Sequence, residues 1–237
     1  HLYIYTPISN IHLIKSENFK ILDGNNILNL NKLKLNYNIL PFSDLFRYKL
    51  LYIKGGIWVD LDMICLKKFN FKEKYIFSSE RTIQQGAYRN RNHLYVPNIG
   101  VLKAPKKSKF YKELYDKCLN KLKINSNLMF MNILKKQIYE YNFEKYIKEP
   151  IYFCPIDWWN TKQIFIPPCC PTKYGVDGID YKEIMNESYS IHIWRSIMIK
   201  RKINPNNKFS NISIYEKLKK LNKTKTKTKK KTKKNIK

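Results

Sequence analysis

Hydrophobic and polar positions change period abruptly within Phe42–Phe71, FSDLFRYKLLYIKGGIWVDLDMICLKKFNF. Leu45, Phe46, Lys49, Leu50 and Ile53 recur at helical spacing, which predicts a helix. Ser43 is placed to cap it, and Asp44 falls in the first turn, where a negative charge complements the helix dipole. Gly55-Gly56 supplies a left-handed stop. Ile57–Asp62 then alternates strictly, so a strand is expected with Ile57, Val59 and Leu61 on one face and Trp58, Asp60 and Asp62 on the other.

The same reading extends along the chain. Leu2–Thr6 reads as an opening strand, and Ile27–Leu33 as a short strand or helix. Tyr75–Ser79 reads as a strand ending at Glu80-Arg81, Gln84–His93 as a polar, basic loop, and Asn98–Leu102 as a further strand. Ser108 caps a helix whose Phe110, Leu114, Tyr115, Cys118 and Leu122 face a core, and Leu128–Tyr141 forms another helix by the same count. Tyr189–Trp194 alternates again, with His192 and Trp194 on one face and Ile191 and Ile193 turned into the core. The chain opens at His1, without an initiator Met, directly into its first strand. The expectation is a fragment whose first βα unit lies upstream.

The acid pair carries the chemistry. Two carboxylates two residues apart on a strand project side by side, about 7 Å apart along the backbone. They repel unless something positive lies between them. A divalent cation removes that repulsion, and oxygen ligands suit Mg²⁺ or Mn²⁺. A lone Asp-x-Asp also fits an edge strand showing two solvated acids. Here Asp44 and Arg47 stand one turn apart on the preceding helix, and the Gly-Gly turn brings that helix back against the strand.

From Phe42 to Phe69 the chain resembles the DXD-motif glycosyltransferases, the sugar-binding-region family that includes α-1,4-galactosyltransferases and α-1,6-mannosyltransferases. Their pattern runs roughly FSDxFRYxxLYxxGGxWxDLDxxxLKPF, with Lys68 here in place of Pro. Glu80-Arg81 closes an FSSE-type segment, and Phe153-Cys154-Pro155-Ile156-Asp157-Trp158-Trp159 is similar to the family's FxPxxWW-type segment. The tandem Trp either stacks on a sugar or covers the sheet as a buried lid. His192 sits in a segment similar to an AVHxW-type motif. Asn125-Ser126 stands where the family has Gly-Pro.

The resemblance implies a nucleotide-diphosphosugar transferase (GT-A) fold, a mostly parallel central sheet flanked by helices. It also implies transfer of a hexosyl group, with retention, from a UDP- or GDP-sugar to a hydroxyl of a glycan or glycolipid acceptor. In that scheme Asp60, Asp62 and His192 are the metal site and Asp60 also touches the nucleotide's ribose. Asp44, Arg47 and Trp58 bind the donor sugar, Tyr5 stacks on the base, and Asn98 lies at the donor's reacting face beside the catalytic Asp60 and Asp62. Imidazole together with oxygen ligands favours Mn²⁺ over Mg²⁺ as the cofactor.

Composition changes the picture in one respect. With 43% hydrophobic residues the 237-residue chain is able to bury a sizeable core. Its formal charge of +28 raises nucleic acid as a partner. Yet residues 217–237 hold 12 lysines and no acid, so much of the excess is local. The expected organisation is a catalytic domain over 1–215 and a disordered Lys/Thr-rich tail over 216–237. Such a tail is suited to an anionic membrane surface. Cys65, Cys118, Cys154, Cys169 and Cys170 show no metal-type spacing, and their odd number argues against a complete disulfide framework. No apolar run approaches the roughly 18 residues of a membrane span. A cytoplasmic or membrane-peripheral location is favoured, with a Golgi lumen open if an anchor precedes His1. Two other readings stay open: a non-catalytic sugar-nucleotide or glycan-binding relative, and a basic nucleic-acid-binding protein.

Overall fold

Helix α1 runs over Ile39–Lys54, so it starts four residues before the expected cap at Ser43. The reason is Pro41, whose missing N–H costs nothing in a first turn, where amides lack intrahelical partners. Ser43 is therefore inside the helix, and its hydroxyl accepts a hydrogen bond from the Arg47 guanidinium at 3.3 Å. Asp44 accordingly lies beyond the first turn. The stop is where the glycines put it: Gly55 and Gly56 both have positive φ, 65° and 91°.

The computed structural model describes residues 1–5, 19–30, 39–83, 93–123, 130–167 and 181–220. The expected loop at 84–92, the Asn125–Leu128 segment, Cys169, Cys170 and the tail beyond 220 lie outside them. Two compact units are distinguished. The first comprises His1–Trp58, Glu73–Phe77 and Val101–Ile147; the second comprises Val59–Lys72, Ser78–Gly100 and Lys148–Lys237.

In the first unit β1 (Leu2–Ile4) pairs in parallel with β2 (Ile21–Asp23). A 3₁₀ turn at Gly24–Asn26 follows, and the element expected at Ile27–Leu33 runs beyond the described residues. Asp23 caps that turn through the Asn25 amide at 2.8 Å. After α1, helices α2 (Lys109–Lys123) and α3 (Phe130–Glu140) complete the helical part, with α2 packed on both of the others. Ser108 caps α2 as expected, accepting from the Tyr111 amide at 3.3 Å. Phe42, Leu45, Tyr48 and Leu51 on α1, and Phe110, Tyr111, Leu114 and Cys118 on α2, are buried. Each large apolar side chain removed from water in this way contributes about 1.5–3 kcal/mol.

Between them the chain forms β3 (Gly56–Val59), β4 (Met63–Cys65), β5 (Ile76–Ile83) and β6 (His93–Ala104). A three-stranded sheet has the order β3-β6-β5, and its strands contribute residues to both units. The remaining elements belong to the second unit: α4 (Pro150–Phe153), a 3₁₀ segment at Trp158–Ile164, α5 (Tyr181–Glu187), β7 (Ser190–His192) and α6 (Arg195–Lys200). β4 and β7 pair antiparallel. The second unit's core gathers Ile156, Ile164, Phe165, Ile184, Ile191 and Met198. Ile214 and Leu218 join it from a helical run at 214–220. The expected tail boundary at 216 therefore falls inside a packed helix, because Leu218 supplies an apolar anchor that the lysine count conceals. The class is mixed α/β. Among the described residues, no helix is long and apolar enough to cross a membrane.

Gly55 is the fold's most constrained turn residue. A Cβ there would sit 2.4 Å from the Lys106 amide nitrogen, besides straining a φ of 65°. At Gly56 a Cβ would meet nothing within 4 Å. Gly55→Ala is expected to destabilise by more than the roughly 1–3 kcal/mol of backbone strain alone, and Gly56→Ala by about that strain. Thermal melts of the two variants check the order; equal melting points would contradict it.

Candidate functional site

Strand β3 does not continue through the acid pair. It ends at Val59, and Asp60-Leu61-Asp62 forms a tight turn closed by a hydrogen bond from the Met63 amide to the Asp60 carbonyl at 3.2 Å. The Asp60 amide in turn donates to the Gly100 carbonyl at 2.9 Å, tethering the turn's first residue. This corrects the alternating strand expected over Ile57–Asp62. Leu61 is 88% exposed, and the turn takes it off the face expected to be shared with Ile57 and Val59. The turn forms because β4 must leave to pair with β7, and alternation in sequence carries no information about that partner.

The pairing places His192 opposite Met63, one residue from Asp62. Asp60, Asp62 and His192 each offer a ligand atom, and these atoms lie within 4.8 Å of one another. Two carboxylate charges at such a separation repel by roughly 3–4 kcal/mol at an effective dielectric of about 20. The turn holds them together against that repulsion with two counter-interactions on Asp62. Its Oδ2 lies 3.1 Å from His192 Nε2 and accepts from the Arg195 amide at 3.0 Å.

Protonation follows from these contacts. Burial by itself disfavours a charged Asp62, yet the hydrogen bond and charge of His192 and the Arg195 amide outweigh it and hold the carboxyl below its usual range. Burial likewise works against the His192 imidazolium. The hydrogen bonds to Asp62 and Cys154, with the carboxylate charge, push its pKa up to about 10. In the metal-free protein the imidazolium thus supplies the positive charge that the two acids require. Two carboxylates and an imidazole fit a divalent first-row cation by donor chemistry.

His192 is held on several sides. The expected strand to Trp194 stops at His192, and Trp194 takes a left-handed conformation with φ 54°. That turn folds the indole back onto the imidazole, ring centroids 3.9 Å apart and planes 27° from parallel. The two rings come together through a backbone reversal, not through strand alternation. Trp194 Nε1 donates to the Ile156 carbonyl at 2.8 Å, anchoring the indole.

Asn98, expected at a reacting face, has its side chain in a buried hydrogen-bond network. It is 3% exposed. Its Oδ1 accepts from the Gly100 amide at 3.2 Å and from the Ser78 hydroxyl, while Nδ2 donates to Glu80 Oε2 at 3.2 Å and to Cys154 Sγ at 3.3 Å. Of the tandem tryptophans, Trp159 is buried and Trp158 is 38% exposed, so the pair is half lid and half surface.

The remaining expected residues form a separate group in the first unit. Arg47 is buried, lies 3.4 Å from Asp44 as an i,i+3 ion pair, and stacks its guanidinium 5.1 Å from the centre of the Trp58 ring. Phe46 meets Trp58 edge-on at 6.0 Å and Tyr5 at 5.8 Å. The Tyr5 hydroxyl donates to the Gly24 and Leu28 carbonyls, at 3.0 and 2.7 Å, which fixes the ring beside the 3₁₀ turn. Asp44, Arg47, Trp58 and Tyr5 are thus linked through one aromatic cluster. Cys154 and the Arg195 amide went unrecognised in the sequence, since both join the site only through folding and neither has a local spacing that marks it.

A cation entering this set must displace the His192 proton, because a ligating imidazole is neutral. The pair's sign is set by the raised pKa. The imidazolium–Asp62 contact contributes stability in full below the ordinary histidine pKa of 6.5, and loses it as pH rises through about 10. Cation binding near pH 7.5 is therefore expected to release about one proton. Calorimetric titrations with Mn²⁺ in buffers of different ionisation enthalpy measure it. Binding with no proton release would contradict the assignment of His192.

The family model for the glycosyltransferase sugar-binding region containing DXD motif matches residues 4–85. No curated protein and no solved structure gives a match. The matched span takes in Tyr5, Asp44, Arg47, Trp58, Asp60 and Asp62, and the resemblance over Phe42–Phe69 lies wholly inside it; His192 lies outside. Residues 4–85 are therefore similar to the sugar-binding region of the DXD-motif glycosyltransferases.

Proposed function

We propose that this protein is a metal-dependent glycosyltransferase of the GT-A type that moves a hexosyl group from a nucleotide diphosphosugar to a hydroxyl of a glycan or glycolipid. The observation that carries the reading is the convergence of Asp60, Asp62 and His192, with ligand atoms within 4.8 Å of one another, in a chain matching the DXD family model. Mn²⁺ suits the mixed oxygen and nitrogen donors better than Mg²⁺. Held there, such a cation neutralises the charge that builds on the leaving diphosphate.

The chain's own groups divide the remaining work. Asp60 and Asp62 hold the cation, and Asp60 also reaches the ribose. Arg47 presents directional donors to the hydroxyls of the donor sugar, with Asp44 and Trp58 fixing the plane of its guanidinium. Trp58 and Tyr5 give the donor apolar faces, the first toward the sugar and the second toward the base. Transfer proceeds with retention at the anomeric carbon. The catalytic part takes in the packed helix at 214–220, and the lysine-rich end after it associates with anionic membrane.

The test is donor hydrolysis with UDP- and GDP-sugars, with and without Mn²⁺. Asp60→Asn and Asp62→Asn are each expected to lower cation-dependent turnover at least 100-fold while the protein stays folded, Asp62→Asn also losing the stability of its imidazolium contact. Arg47→Lys keeps the charge but not the planar fork, and is expected to raise KM about tenfold or more, since a misplaced hydrogen bond to a charged group is worth about 1.5–3 kcal/mol. Tight donor binding without turnover in the wild-type protein would replace the enzyme with a sugar-nucleotide-binding relative. Turnover that ignores Mn²⁺ would remove the metal site.

A further inference from the structure

His192 has two ring nitrogens with different neighbours. Nε2 faces Asp62 at 3.1 Å, on the side of the acid pair. Nδ1 faces Cys154 Sγ at 3.9 Å. Cys154 is 1% exposed and is a free thiol. Because the sulfur and Asp62 address different nitrogens of one ring, Cys154 does not join Asp60, Asp62 and His192 around a common ion.

The direction of the hydrogen bonds at Cys154 follows from a neighbour whose role is fixed. The Gly100 amide is an obligate donor, so the Asn98 atom that it meets must be the carbonyl oxygen. The Ser78 hydroxyl donates to that same oxygen. The Asn98 amide group is therefore locked with its NH₂ toward Glu80 and Cys154, and the sulfur accepts. The sulfur accepting from Asn98 keeps a second lone pair, and an N–H on His192 Nδ1, 3.9 Å away, is suited to donate to it. Once a cation displaces the Nε2 proton, that arrangement leaves the Nε2 lone pair on the side of Asp62 and Asp60. A Cβ on Gly100 would make only ordinary contacts, 3.6 Å from Asn98 Oδ1 and 3.8 Å from His192 Nδ1, so the Gly100 backbone lies beside the network.

We propose that Cys154, oriented by Asn98, is a positioning residue that holds His192 as the Nδ1–H tautomer with Nε2 directed at the cation. The role rests on reading Asp60, Asp62 and His192 as a cation site. It gives Asn98 a function through Cys154. Outer partners of a ligating histidine set ring orientation and ligand basicity, and their loss typically weakens metal binding 10–100-fold. Here the chain Gly100–Asn98–Cys154–His192 ties the ligand to the backbone of β6, the strand whose Gly100 carbonyl also holds the Asp60 amide.

Two measurements test it. The first is Mn²⁺ affinity by electron paramagnetic resonance for wild type, Cys154→Ala and Cys154→Ser. Cys154→Ala is expected to bind Mn²⁺ about 10–100-fold more weakly, and Cys154→Ser, which keeps an acceptor, to recover most of the loss. Affinity unchanged in Cys154→Ala, or Cys154→Ser as weak as Cys154→Ala, overturns the proposal. The second needs no variant and stands even if Cys154→Ala fails to fold. In ¹⁵N-labelled wild-type protein titrated with Cd²⁺, as a diamagnetic substitute for Mn²⁺, His192 is expected to keep its proton on Nδ1 and take the cation on Nε2. A cation on Nδ1, or on the Cys154 sulfur, overturns it. If His192 ignores the cation altogether, the metal reading falls and takes this inference with it. If His192 binds as expected and only the alanine variant is silent, the inference falls alone.

Discussion

Three residue pairs hold the candidate site together: Met63 with His192, Ile64 with Ile191, and Cys65 with Ser190. This short antiparallel ladder joins parts of the chain about 130 positions apart, and side chains along it alternate between faces. A slip of one residue would send His192 to the core side and Ile191 to the acid side. The register is guarded by burial. Ile191 lies at the centre of the second unit's apolar cluster, with Ile64 packed against it, so exchanging faces would bury an imidazole among isoleucines and expose Ile191. The Ile193 amide extends the ladder by donating to the Asp62 carbonyl at 3.0 Å.

Electrostatics then works within the frame that packing sets. Two carboxylates on a tight turn are unfavourable unless a positive group compensates, and the ladder delivers one from β7. The α6 segment delivers a further donor, the Arg195 amide, as the chain reverses after Trp194. That reversal requires a left-handed tryptophan. Such a conformation is costly for a bulky residue and persists where surrounding contacts over-determine it. Here those contacts are the Trp194–Ile156 hydrogen bond and the ring stack on His192, so local strain and ligand orientation share one cause.

Much of this was legible in the sequence, and the failures share an origin. Gly55-Gly56, the Ser108 cap and the chemistry of Asp60, Asp62 and His192 depend on local rules of turn geometry, capping and donor type. The start of α1 was misplaced because Ser43 looks like a cap only if Pro41 is taken to stop a helix rather than begin one. The extended reading of Asp60–Asp62 and of Trp194 failed because each run alternates by composition while tertiary pairing bends it. Asn98 was singled out for a place at the donor, while the network that surrounds it was not legible. Its hydrogen-bond partners Ser78, Glu80 and Cys154 come from separate segments, which no period in the sequence brings together. Leu218, one apolar residue among lysines, joins the second unit's core for the same reason.

The central claim is that one cation is shared by Asp60, Asp62 and His192. Anomalous diffraction at the manganese absorption edge, from crystals grown with Mn²⁺ and a nucleoside diphosphate, addresses it directly. The expected result is a single peak within about 2.0–2.3 Å of a carboxylate oxygen of each aspartate and of His192 Nε2, the range for hard-cation oxygen and nitrogen ligands. A peak elsewhere in the chain, or an unbroken Asp62–His192 contact with manganese bound away from the imidazole, would contradict it.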